Sequence, residues 1–121
     1  MMRQDQGRTA FHAGVAAEGS VERLYERAGR PILARRWRGQ SGEIDLVARD
    51  GDAVVFIEVK KSSTHARAAE HLRPRQMARI YAAASEYLAR EPKGQLTPAR
   101  FDVALVDQVG RIEILENAFA A

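Results

Sequence analysis

The sequence predicts a mixed α/β domain, with a sheet carrying both antiparallel and parallel neighbours and helices covering it, in the order helix, three strands, helix, two strands. Three observations predict this class. Residues 42–61, GEIDLVARDGDAVVFIEVKK, set two strand-like runs about an Asp50-Gly51 pair, which is a strong short-range hairpin signal. Apolar residues recur at helical spacing at Ala17, Val21, Leu24, Tyr25 and Ala28, and again at Met77, Ile80, Tyr81, Ala84 and Leu88. The second of these helical stretches lies between strand-like segments, and a strand–helix–strand passage makes a parallel crossover. The hairpin before it is antiparallel, so the sheet must be mixed.

Each element follows from local pattern. Residues 1–13 are polar and aperiodic and read as a flexible N-terminal tail, leaving residues 14–121 as a single domain. The first helix starts at Gly14 and is stopped by Gly29. Residues 31–38 read as a strand, and a GQSG turn leads into the hairpin. Residues 62–69 are small and polar and read as a loop. The second helix begins at Pro74, whose missing N–H costs nothing in a first turn. Residues 92–98 form a turn-rich connection, and residues 101–106 and 111–115 are short strands about a turn at Gly110.

A chain of 121 residues is one domain, large enough to bury a core without staples. It contains no cysteine, which excludes disulfide partners and thiolate chemistry. No apolar run approaches the ~18 residues of a membrane span, and no signal segment opens the chain, so a cytoplasmic protein without a membrane partner is expected. His12, His65 and His71 lack zinc-ligand spacing. Net charge is +3, and arginine dominates the positive residues. Arg30, Arg35, Arg36 and Arg38 cluster about Trp37 without an intervening acid, and Lys60, Lys61, Arg67, Arg73, Arg75 and Arg79 form a second cluster. Arginine favours planar, two-pronged phosphate contacts, so a nucleic-acid backbone is the expected partner.

The hairpin carries acids where strands usually carry none. Asp45 interrupts the first run; Glu58 and Lys60 interrupt the second, two residues apart, after AVVFI. Period-two alternation puts Glu58 and Lys60 on one face. A two-residue turn at Asp50-Gly51 sets Asp45 diagonally from Glu58, a four-residue loop sets them directly opposite, and only an odd-length loop separates their faces. Like charges so placed destabilise a sheet unless a cation neutralises them. Glu43 stands alongside the pair.

This order and these residues resemble the restriction-endonuclease-like PD-(D/E)XK superfamily, and within it the bacterial YraN family, which is similar in pattern to archaeal Holliday-junction resolvases. The resemblance rests on G-x-x-A-E ending at Glu18, ILARRWR, GEIDL followed by VFIEVK, RFDV from Arg100 and NAF from Asn117. It implies a restriction-endonuclease-like fold and a divalent-metal-dependent endonuclease acting on DNA, with branched or Holliday-junction DNA as the candidate substrate. It implies that Asp45 and Glu58 bind Mg2+ (or Mn2+), that Glu18 completes the acidic cluster, and that Lys60 activates or orients the attacking water. Arg35, Arg36, Arg38, Lys61, Arg73, Arg75, Gln76 and Arg79 are the expected nucleic-acid contacts. Resolving a symmetric junction would need two active sites, hence a homodimer. Members commonly carry lysine where Gln76 stands and arginine where Ser62 stands; both departures follow the ExK motif and bear on substrate grip. The alternative reading is a non-catalytic nucleic-acid-binding module on the same fold.

Overall fold

The computed structural model describes the backbone of residues 2–118 and the side chains of residues 14–118. Helix α1 (Met2–Arg27) is followed by strands β1 (Ile32–Arg38), β2 (Glu43–Asp50) and β3 (Ala53–Lys61). A short helix α2 (His65–Ala69) and helix α3 (Pro74–Leu88) come next, then a 3-10 turn (Gly94–Leu96), β4 (Ala99–Val106) and β5 (Ile112–Leu115). The strands form one sheet in the order β1-β2-β3-β4-β5. Only the β3–β4 neighbours are parallel; the other pairs are antiparallel. The mixed sheet and the crossover through α3 are therefore as the sequence predicts.

Two elements differ from the sequence expectation. Residues 62–69 contain α2, whose first turn is closed by the Thr64 hydroxyl accepting from Arg67 N at 3.1 Å. A capping threonine before an alanine-rich turn suffices for this, although five residues are too few to show a hydrophobic period. Helix α1 begins at Met2 rather than Gly14. The expected looseness of residues 1–13 concerns side chains outside the described set.

Two apolar layers sandwich the sheet. On one face Ala17, Val21 and Tyr25 of α1 pack on Leu46, Ala48, Val55, Ile57, Ala104 and Val106. On the other, Ala83, Ala84, Tyr87 and Leu88 of α3 pack on Ile44, Val47, Val54 and Phe56, with Trp37 and Phe101 at the margin. Trp37 meets the Tyr87 ring edge-on at 5.4 Å, and Tyr87 meets Phe56 edge-on at 5.8 Å. These aromatics are core packing, the geometry aromatic pairs prefer.

The RFDV motif and Asn117 form a structural joint. Asp102 is fully buried. Its carboxylate accepts from Tyr25 Oη at 2.6 Å, Arg100 Nε at 3.0 Å and the Asn117 backbone N–H at 3.0 Å. Arg100 also donates to Asp50 at 2.7 Å. Helix α1, β4 and the segment after β5 thus meet at one carboxylate, Arg100 linking it on to β2, and α1 is pinned to the sheet two turns from Glu18.

Candidate metal and phosphate site

The β2–β3 hairpin turns at Gly51 and Asp52, one residue later than the Asp50-Gly51 turn predicted, because Asp50 pairs with Ala53. The two residues remain a tight turn, with Gly51 at φ 59°. Moving the turn by one residue changes the register by two, so faces are preserved and Asp45 falls directly opposite Glu58 rather than diagonal to it. Backbone pairing runs from that turn to Leu46–Ile57 and goes no further. One rung beyond, the Val59 N–H donates instead to Asp45 Oδ2 at 2.8 Å. The strands fork here, and a side chain takes over the ladder.

Glu58 is buried at this fork, 6% exposed. Burial, then a side-chain hydrogen bond and charge from Asp45, push its carboxyl up to about 9. Glu58 therefore keeps a proton that it shares in a hydrogen bond with Asp45. Lys60 opposes that rise; its Nζ lies 3.7 Å from Glu58 Oε1, so the predicted common face of Glu58 and Lys60 is observed. Gly42, Glu43, Asp45, Glu58, Gln76, Arg79 and Ile80 line a cavity of about 230 Å³ here. Helix α3 thus supplies Gln76 and Arg79 as the wall opposite the acids.

The turn that delivers Asp45 is itself held from α3. Glu86 accepts from the Gln40 and Ser41 backbone N–H groups, each at 3.0 Å. These bonds hold its carboxyl below the usual range, Ser41 contributing first, against the effect of burial. A Cβ on Gly39 would stand 2.4 Å from a Glu86 oxygen and 2.9 Å from the Trp37 ring. Sequence reading missed Glu86 because a lone acid on a helix carries no local signal of a partner 46 residues away.

Glu18 is placed elsewhere. It faces a second cavity of about 370 Å³ with Glu22, Arg35 and Arg36. Arg36 pairs with Glu18 at 3.2 Å, Arg35 takes Glu22 with both prongs, and Arg38 pairs with Glu43 at 2.9 Å. The β1 arginine cluster, free of acid in sequence, is therefore met by carboxylates in space. Lys61, Arg73, Arg75 and Arg79 are exposed, and Gln76 is half-buried.

Among the described residues, no three acids or histidines come close enough to enclose an ion. The donor chemistry at the fork still fits Mg2+, which takes one or two carboxylates and completes its octahedron with water and phosphate oxygens. Two carboxyl groups lining one cavity of about 230 Å³ meet that need.

The profile of the uncharacterised protein family UPF0102 matches residues 17–106, which includes α1 from Ala17, the fork and α3. This chain belongs to the UPF0102, or YraN, family. A UPF0102 protein of Cereibacter sphaeroides strain KD131 is 67% identical over 115 residues, covering 95% of this chain and 98% of the relative. One from Ruegeria pomeroyi is 67% identical over 107 residues, covering 88% and 87%. A UPF0102 protein of Ruegeria sp. strain TM1040 is 49% identical, covering 98% of both chains. The UPF0102 match spans every site residue named above. Among the described residues, no helix is long and apolar enough to cross a membrane.

Proposed function

We propose that this protein is a divalent-metal-dependent endonuclease that hydrolyses DNA phosphodiester bonds, with branched DNA as the substrate class that its resemblance to junction resolvases implies. One observation carries the reading. Asp45 and Glu58 face each other one rung past the end of the β2–β3 ladder, with Lys60 3.7 Å from Glu58. Mg2+ or Mn2+, held by Asp45 and Glu58, would supply Lewis-acid stabilisation of phosphate charge and a more acidic water.

The chain's own residues supply the rest. Val59 N–H fixes one oxygen of Asp45, which lines the cavity. Lys60, 16% exposed, brings an ammonium where negative charge grows in the transition state. Arg79 and Gln76 on α3 bracket the opening and can hold the scissile phosphate against the acids. Lys61, Arg73 and Arg75 are exposed and can meet a phosphate backbone.

A binding module that keeps this fold is the competing reading, and one observation favours it: Glu18 lies in a separate cavity from Asp45 and Glu58. Cleavage of branched, single-stranded and duplex DNA with Mg2+ and Mn2+, by wild type and Lys60→Ala, separates the two. The nuclease reading expects metal-dependent cutting of at least one substrate. It also expects the Lys60→Ala rate to fall by a large factor with little change in affinity, as for a contact made only in the transition state. Wild-type protein that binds DNA but cuts nothing with either metal leaves the binding module standing.

A further inference from the structure

The rung between β1 and β2 at Arg36 and Asp45 is where both strands change face. Arg35 pairs with Leu46 and Trp37 pairs with Ile44, so Arg36 and Asp45 lie between those rungs. Leu46 packs on the α1 side, whereas Ile44 and Trp37 pack on the α3 side. Strict alternation would put positions 44 and 46 on one side; here it breaks. Arg36 sits at the break with φ 47°, a conformation that costs a side-chain-bearing residue and, when observed, points to function. That conformation aims its guanidinium at α1, where both prongs reach Glu18 at 3.2 Å. Glu43 and Asp45 also act on it electrostatically, after Glu18 itself. From the strand position opposite Asp45, one guanidinium thus holds the carboxylate of α1.

We propose that Arg36 withholds Glu18 from the cation site, so that Glu18 reaches a bound metal only when the guanidinium is drawn onto another anion. The proposal rests on the metal-site reading above. The natural competitor is a backbone phosphate, because it offers the same two-oxygen edge that a carboxylate does. The pair is built to exchange: Arg36 is 44% and Glu18 21% exposed, and ion pairs so placed are weakly held. Loading of the third carboxylate would then follow arrival of the DNA rather than precede it.

Calorimetric Mn2+ titration of wild type, Arg36→Asn, Glu18→Gln and the double variant, without DNA, tests this. Asparagine tolerates the φ of position 36, so the guanidinium is lost without strain; Arg36→Gly, which tolerates it too, is the second variant. The expected result is Mn2+ binding about threefold tighter or more in Arg36→Asn, the scale of one exposed ion pair. That gain should vanish when Glu18→Gln is added. Unchanged or weaker binding in both Arg36 variants overturns the proposal, as does a gain that survives Glu18→Gln. Wild type and Arg36→Asn that both bind no Mn2+ overturn the metal-site reading and this proposal with it, whereas equal binding in the two overturns the proposal alone.

Discussion

Replacing Glu58 with glutamine tests the shared proton at the fork through stability alone. In the folded protein burial and Asp45 hold Glu58 protonated up to about 9, against an ordinary value of 4.5. Between those limits the folded state keeps a proton that the unfolded state releases. Stability must therefore fall as pH rises, by up to about 1.4 kcal/mol per pH unit. From pH 5 to 8 the loss reaches about 4 kcal/mol, large beside the ~5–15 kcal/mol of a typical domain. An amide at position 58 can still donate to Asp45, as the protonated acid does, but it cannot ionise. Urea unfolding at several pH values, with wild type minus Glu58→Gln as the quantity compared, cancels histidine titration and every other group common to both. The carboxylates held low by partners, Glu22, Asp50, Glu86 and Asp107, ionise below the ordinary carboxylate range and so lie outside this window. The difference should grow steadily in favour of Glu58→Gln from pH 5 to 8, and saturating Mg2+ at pH 8 should narrow it. A flat difference across that range would refute the shared proton.

Asp102→Ala leaves the Tyr25 hydroxyl and the Arg100 guanidinium without their buried partner and should cost about 3–5 kcal/mol in urea unfolding; a loss under about 1 kcal/mol would show that the joint is dispensable. Gly39→Ala puts a methyl 2.4 Å from the Glu86 carboxylate and 2.9 Å from the Trp37 ring and should cost about 1–3 kcal/mol in the same assay; a loss under about 0.5 kcal/mol would show that the turn yields freely. Removing Arg73, Arg75 and Arg79 together should flatten the salt dependence of DNA binding without changing sequence preference, since each phosphate neutralised releases counterions; an unchanged slope would move the interface to Arg35, Arg36 and Arg38.

The legible part of the fold was what period and turn chemistry write locally. The α3 stripe, the hairpin, the parallel crossover and the common face of Glu58 and Lys60 all come from spacing. The hairpin turn was displaced by a residue because Asp-Gly and Gly-Asp both suit a tight turn, and DGD offers both. Parity protected the site from that error. Helix α2 was invisible because a five-residue helix has no period to read. The pairing of Arg35 and Arg36 with α1 was equally hidden. An alternation break at one rung is a tertiary event, set by how β1 wraps against α1, and the run RRWR carries no trace of it. For the same reason the sequence joined Glu18 to Asp45 and Glu58 by resemblance, while the structure pairs Glu18 with Arg36 in a separate cavity.

The measurement that bears most directly on the central claim is calorimetric titration of Mn2+ into wild type and into the double variant Asp45→Ala, Glu58→Ala at pH 8. Wild type should bind Mn2+ saturably and release a proton as the metal replaces the one held at the fork. The double variant should remain folded and show no such binding. A double variant that binds Mn2+ as wild type does, with the same proton release, would contradict a cation site built from Asp45 and Glu58.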